Sequence, residues 1–348
     1  MRICGMKAIK AVSYILTLAI IVILAGCDSF DLYNYPHAPA TPAIHHVVSE
    51  AVNIEPKWVT EEVFIHLNDQ DAAMESAAGK TCFLGNLGER KKYYDHLVCL
   101  ESNSGDLLWD KASGVHDEIA VTSNGIFVTY IGPASLKKYD FQNGNLMWQT
   151  SNFNGKMGAS YLYIQDDKIE VLFLDEMTAT LNFDGEVVQT VDGESVLVSK
   201  QDEVVIDDGL QPQKTGAKGV LWKYKNVIIY SAPLFTKNKI FVNNDFTKNE
   251  FALDRNTGTL LWEIPKILGN FAYSSNRKVV YALRENGELL SIDEDSGKEM
   301  VIAKFSAAPF VYTDGVDDCG YYLSYDEKEH MLFVYIGDSR QLFAFSED

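Results

Sequence analysis

Ala252-Leu253-Asp254-Arg255-Asn256-Thr257-Gly258-Thr259-Leu260-Leu261-Trp262 decides the fold, because the chain repeats it. Cys99-Leu-Glu101-Ser-Asn-Ser104-Gly105-Asp-Leu-Leu-Trp109 matches it position by position, as does Lys138-Tyr-Asp140-Phe-Gln-Asn143-Gly144-Asn-Leu-Met-Trp148. Ser291-Ile-Asp293-Glu-Asp-Ser296-Gly297-Lys-Glu-Met-Val301 keeps everything but the Trp. Weaker copies surround Gly185 and run from Thr215 to Trp222. Trp109 and Trp148 are 39 residues apart and Trp222 and Trp262 are 40 apart. Trp148 and Trp222 are separated by 74, two units of 37, with the Gly185 copy between them. A period near 40 residues is one four-stranded blade of a β-propeller.

Each unit reads as strands. In the clearest, Val279–Leu283 is one apolar run, Glu285-Asn286-Gly287 is a turn, and Leu289–Asp293 is the next run. The Asp-x-x-Ser/Thr-Gly turn comes after it, then a strand carrying the Trp. Gly supplies the positive φ of the turn, and the Asp side chain caps backbone N–H groups within it. The Trp is a large apolar plate with one N–H, suited to packing between neighbouring blades. Recurrence at the blade period assigns Glu101, Gly105, Trp109, Asp140, Gly144, Trp148, Trp222, Asp254, Gly258, Trp262, Asp293 and Gly297 to blade docking, not to a ligand.

The pattern Ala-x-Asp-x-x-Thr-Gly-x-x-x-Trp of residues 252–262 resembles the tryptophan-docking motif of PQQ-like (pyrroloquinoline-quinone-type) propeller repeats. The likeness runs from about residue 56 to the C-terminus and implies an all-β propeller of four-stranded blades. Trp-position markers at Trp58, Trp109, Trp148, Gln189, Trp222, Trp262 and Val301 give seven blades. Eight is the runner-up, since the interval from Trp58 to Trp109 is 51 residues. Gln341–Ser346 looks like the strand before a turn that never comes. The segment around Trp58 would then complete that blade and join the two ends of the chain, removing exposed sheet edges.

The N-terminus reads as an address. Residues 1–10 are basic, Ala11–Cys27 carries no charge, and the run ends in Leu24-Ala25-Gly26-Cys27. Such a pattern is a secretory signal, and its end resembles the lipobox of bacterial lipoproteins. That resemblance implies cleavage before Cys27 and lipid on Cys27; an uncleaved signal anchor is the alternative, and Met6 is a second candidate start. The domain reading is therefore a signal peptide over 1–26, a lipidated Cys and flexible tether over 27–55 with Pro36, Pro39, Pro42 and Pro56 along or beside it, and a propeller over 56–348. Asp28 resembles the inner-membrane retention signal of enteric lipoproteins, which other lineages read differently.

The chain has 348 residues with 30 Lys+Arg and 49 Asp+Glu, a net charge of −19. Without residues 1–26, 27 basic residues face 49 acidic ones, a charge of −22. That balance argues against nucleic-acid binding and against adsorption to anionic lipid by charge alone. Cys82 and Cys99 lie on two apolar runs that would pair as a hairpin, so a cross-strand disulfide is geometrically possible; Cys319 is the competing partner.

The residues that could carry other chemistry lack its patterns. His45-His46 has no further ligands nearby, and Asp314, Asp317 and Asp318 lack the alternating spacing of an EF-hand loop. His116-Asp117-Glu118 reads as a polar loop between blades. PQQ-dependent dehydrogenases share the repeat, but this chain has neither their adjacent Cys pair nor their length. No haem-attachment, phosphate-loop, nucleophile-elbow or His-Glu-x-x-His motif occurs. The expectation is thus no cofactor, no metal and no catalytic residue.

Signal, lipobox, tether and repeats together match the plan of BamB-like lipoproteins of the outer-membrane barrel-assembly machinery. The resemblance implies a non-catalytic scaffold for protein–protein interaction in a bacterial cell envelope. It would be held outside the cytoplasm, on the periplasmic side of the inner or outer membrane, with envelope proteins as partners and the membrane reached through Cys27. A small-molecule binder or quinoprotein-type enzyme using the central channel is the alternative.

Overall fold

The structure, a computed structural model, describes residues 54–347 except 66–72, 89–95, 115, 131–133, 152, 154–158, 166–167, 174–176, 193–203, 207–211, 217–218, 225–232, 245–248, 285, 306–320 and 338. One compact unit spans Ile44–Asp348. The signal, Cys27, Asp28, His45-His46, Asp314, Asp317, Asp318 and Cys319 lie outside the described residues.

Strand β1 (Trp58–Thr60) comes first in the chain and belongs to the last sheet. In the first sheet, β2 (Val63–Ile65) and β3 (Met74–Ala77) both pair with β4 (Lys80–Leu87), and β5 (His96–Glu101) and β6 (Leu107–Ala112) continue outward. The second sheet runs β7 (His116–Thr122), β8 (Gly125–Tyr130), β9 (Ser135–Tyr139) and β10 (Leu146–Thr150). The third is β11 (Ala159–Gln165), β12 (Lys168–Phe173), β13 (Met177–Asn182) and β14 (Val187–Asp192). Three strands are described in the fourth: β15 (Val204–Ile206), β16 (Pro212–Gly216) and β17 (Gly219–Lys223). The fifth is β18 (Leu234–Phe235), β19 (Lys239–Asn244), β20 (Asn249–Asp254) and β21 (Leu260–Ile264), and the sixth β22 (Ile267–Ser274), β23 (Val279–Arg284), β24 (Glu288–Asp293) and β25 (Glu299–Lys304). The seventh holds β26 (Tyr321–Asp326), β27 (Met331–Ile336) and β28 (Gln341–Ser346), with β1 as its outer strand.

Every described pairing is antiparallel, and first strands of several neighbouring sheets pack against one another: β3 on β7, β7 on β11, β22 on β26 and β26 on β3. This is a β-propeller, the all-β fold that the repeat predicts. The second strands β4, β8, β23 and β27 are buried along most of their length because both their faces are covered, and all six residues of Met331-Leu-Phe-Val-Tyr-Ile336 are buried. The outer strands β6 and β10 are largely exposed, with only Trp109 buried in Leu107-Leu-Trp-Asp-Lys-Ala112.

β1 closes the seventh sheet, with Trp58 opposite Ala344, Val59 opposite Phe343 and Thr60 opposite Leu342. The two ends of the described chain are therefore hydrogen-bonded into one sheet. The long interval from Trp58 to Trp109 is explained by β2 and β3, which divide the free edge of β4 between them. The triplet His116-Asp117-Glu118 corrects the sequence reading. It is the start of strand β7 and not a loop, because pairing with β8 continues past a register shift to His116 opposite Tyr130.

Candidate functional site

The repeated turns carry the geometry that recurs around the molecule. Asp254 Oδ1 accepts hydrogen bonds from the Asn256 and Thr257 N–H groups and the Thr257 hydroxyl, at 2.9, 2.8 and 3.0 Å. Asp140 Oδ1 accepts from Gln142 and Asn143, Asp293 Oδ1 from the N–H and hydroxyl of Ser296, and Glu101 Oε2 from Ser104. The Ser296 hydroxyl holds Asp293 below the usual carboxylate range against the opposing effect of partial burial. Each turn closes with the Gly N–H donating to the carbonyl of its own Asp or Glu, as in Gly297 to Asp293 at 2.9 Å.

These glycines have φ of +77° (Gly105), +67° (Gly144), +68° (Gly258) and +66° (Gly297). Each is also covered by the indole of the preceding sheet. A Cβ on Gly105 would lie 2.8 Å from the Trp58 ring, on Gly144 2.7 Å from Trp109, and on Gly185 2.8 Å from Trp148. On Gly258 it would meet Trp222, and on Gly297 Trp262, both at 2.5 Å. The indole N–H then donates to a backbone carbonyl two or three residues before the Gly. Trp58 bonds Ser102, Trp148 Phe183, Trp222 Arg255 and Trp262 Glu294, at 3.0–3.3 Å. Trp109 stacks likewise, but its buried Nε1 has no hydrogen-bond partner among the described residues. All twelve motif residues thus sit at junctions between consecutive sheets.

The sequence pattern does not reveal how the Trp is turned toward its Gly. In each of the first six sheets the register slips where the outer strand pairs with its neighbour, while in the seventh β1 pairs with β28 in continuous register. Leu107 faces Leu100 and Trp109 faces Cys99, so Leu108 is an extra, unpaired residue. Met147, Val188, Leu221 and Leu261 occupy the same place. A bulge adds local twist and re-aims the next side chain along the strand, here the indole. It also leaves apolar side chains in water: Leu108, Met147, Val188 and Leu221 are 40, 55, 61 and 61% exposed.

Two junctions have no indole. Val301 stands where the sixth sheet would carry one, and its bulge is displaced to Ile302, whose carbonyl accepts the Ile54 N–H at 2.8 Å. Polar ties hold the sixth sheet to the seventh instead. The Glu347 carboxylate accepts from Tyr281, Tyr325 and Ser274 and pairs with Arg277, and the Asn270 amide bonds both backbone groups of Leu323. Burial first, then the hydrogen bond to Glu347 and its charge, push both tyrosines far above their ordinary range. At the third sheet Gln189 replaces the indole, and Glu186–Thr190 is exposed throughout.

Further ties come from residues with no sequence signal. Buried Asp326 accepts from Gly79 N–H (2.7 Å) and the Ser102 hydroxyl (2.8 Å), fastening the seventh sheet to the first. Glu75 Oε2 accepts the Val121 N–H at 2.7 Å between the first and second, and burial raises its carboxyl to about 7. Between the fifth and sixth, Glu294 gathers Thr236, Tyr273 and Lys239. Cys82 and Cys99 face each other across β4 and β5, with Cα atoms 4.1 Å apart, and are joined in a disulfide. Among the described residues, no group of three or more His, Cys, Asp or Glu side chains is placed to hold a metal ion.

The chain is similar to BamB. It is 22% identical over 164 residues to outer membrane protein assembly factor BamB of Francisella tularensis subsp. tularensis (strain SCHU S4 / Schu 4). That match takes in 47% of this chain and about a third, 34%, of the relative's length. No protein-family model matches the chain. Among solved structures, one chain of the mitotic checkpoint complex superposes with a TM-score of 0.63 at 11% identity, covering 89% of this chain and 99% of that one, a likeness of fold. BamB from Moraxella catarrhalis superposes with a TM-score of 0.47 at 12% identity, over 83% of this chain and all of that one.

Proposed function

We propose that this chain is a non-catalytic scaffold of the bacterial cell envelope, anchored by lipid on Cys27, with one propeller blade for each of its seven sheets. Its work is to present blade edges and turns to other envelope proteins, with outer-membrane protein assembly the specific setting. The observation that carries the reading is the closed ring. With β1 completing the sheet of β26–β28, the two ends of the described chain are held in one sheet, while outer strands such as β6, β10 and β14 keep apolar side chains in water. A rigid body with exposed strand edges suits recognition by strand addition and side-chain docking. The sequence similarity to an outer membrane protein assembly factor supports the setting, and the −22 body favours partners with basic or neutral patches.

The test is crosslinking in cells, purification of the full-length protein from its own envelope, and mass spectrometry of what accompanies it, with Cys27→Ala as the unanchored control. Reproducible enrichment of barrel-assembly subunits is expected. A clean monomer would overturn the scaffold reading and direct attention to ligand-induced thermal shifts. A Cys27→Ala protein that stays with the membrane would overturn the lipid anchor.

A further inference from the structure

The outer strand of the third sheet differs from its counterparts. Charged side chains interrupt β6 (Asp110, Lys111) and β21 (Glu263), stand at both ends of β25 (Glu299, Lys304), and end β17 (Lys223). Edge strands use such charges to discourage pairing with other chains. In β10, Trp148 is fixed over Gly185, and the Thr150 hydroxyl is tied to the Gly185 carbonyl. Among the described outer strands, β14 and β25 have no indole docked on the next sheet; β25 is charged at both ends and its Ile302 carbonyl takes the Ile54 N–H, whereas in β14 the one charge is Asp192 at its end.

Its composition suits pairing. Val187, Val188, Thr190 and Val191 are β-branched, the residues that fit an extended strand best. Val187 is 36% and Val188 61% exposed, and Gln189 and Thr190 are exposed beside them. The bulge at Val188 ends at Gln189, opposite Thr180, and from there regular pairing with β13 continues to Asp192 opposite Met177. Beyond the bulge, therefore, the strand has regular geometry and no described strand on its outer side. Charge stands at its start. Asp184 and Glu186 are exposed in the turn before it, and no Lys or Arg occurs between Asp184 and Asp192.

We propose that the outer edge of β14 is a docking site for an extended segment of a partner protein, a run of about five apolar or β-branched residues with Lys or Arg at the end lying beside Glu186. The segment adds as a further strand along Gln189–Asp192, covers the exposed Val188 side chain, and places its cation against Asp184 and Glu186. The assignment rests on the scaffold reading and gives it a place and a partner chemistry. The same acids disfavour an anionic lipid surface, and the chain's own net charge of −19 disfavours a second copy.

The experiment uses the full-length protein in detergent micelles and two fluorescent peptides of alternating Val and Thr, one with Lys at both ends and one with Glu. Anisotropy titration is expected to show the Lys-ended peptide binding at least tenfold more tightly. Val188→Lys, and separately Thr190→Arg, should each weaken it at least tenfold, with unchanged melting temperatures because both side chains are exposed. Gln149→Lys on β10 should leave binding unchanged. Equal binding of the two peptides, no binding, or full binding by both β14 variants would overturn the proposal. So would sedimentation showing a dimer that Val188→Lys dissolves, or flotation on phosphatidylcholine vesicles that it abolishes. If peptide binding fails while envelope subunits still crosslink, only this site is wrong; if neither occurs, the scaffold reading falls as well.

Discussion

Trp58 stands opposite Ala344 in the seventh sheet while its indole lies on Gly105 of the first. One residue thus joins the two ends of the described chain and two neighbouring sheets. Trp58→Ala should cost about 3 kcal/mol, and Trp262→Ala, whose ring is 1% exposed, about 4 kcal/mol. Denaturant melts should also show a broader transition for Trp58→Ala than for Trp262→Ala, because only the former opens the ring at its closure.

The docking glycines separate backbone strain from crowding. Gly88 and Gly297 both have positive φ, but a Cβ at Gly88 would meet nothing within 4 Å, whereas at Gly297 it would sit 2.5 Å from Trp262. Gly88→Ala should therefore cost about 1 kcal/mol from the left-handed backbone alone. Gly297→Ala should cost about 3 kcal/mol, because the indole must also move. Equal losses in thermal melts would mean that the indole is not clamped on the turn.

The junction without a Trp depends on Glu347. Glu347→Ala removes the acceptor shared by Tyr281, Tyr325 and Ser274 and leaves the buried phenols without it. Hydrogen bonds to a charged group contribute about 1.5–3 kcal/mol each at most, so a loss of about 2 kcal/mol is expected. Hydrogen exchange should localise the loosening to β22, β23 and β26, and a uniform change across all sheets would count against it.

The range of each interaction decides whether the sequence reveals it. The Asp-x-x-Thr-Gly turn is a local device, so its residues, their period and the blade they imply are legible in one stretch such as 252–262. Ring closure is legible too, because Gln341–Ser346 is a strand without its sequel and the segment at Trp58 is a Trp strand without its predecessor. Asp326, Glu75 and Glu347 are not legible, since their partners lie far away in the chain and no spacing announces them. His116-Asp117-Glu118 misleads because a register shift lets a polar triplet enter a strand. The bulge before Trp109, Trp148, Trp222 and Trp262 hides for a similar reason. Leu-Leu-Trp looks like uninterrupted core, yet one Leu drops out of the ladder and stays in water.

The Cys82–Cys99 disulfide closes a loop of 17 residues, and both cysteines are fully buried. Loss of such a loop constraint is expected to cost about 3 kcal/mol in the chain-entropy account. The Cys82→Ala/Cys99→Ala protein should accordingly melt lower than the oxidised form and lose its sensitivity to reductant. A reductant effect that persists in the double variant would point to another thiol.

Glu75 makes stability depend on pH near neutrality. Burial raises its carboxyl from 4.5 to about 7, opposed by the hydrogen bond from Val121. A carboxyl whose folded-state pKa is raised contributes most when protonated in both states, below about 4.5. That contribution fades as pH rises through about 7, because ionising the folded protein then costs more than ionising the unfolded chain. Gln can accept the same Val121 N–H without charge. Glu75→Gln should therefore match the parent at pH 4.5 and exceed it at pH 8 by on the order of 1 kcal/mol, less than the full shift implies because the side chain keeps some contact with water. Chemical denaturation at both values checks this. A difference independent of pH would show that Glu75 is ionised throughout, and that the bond to Val121, not burial, governs its charge.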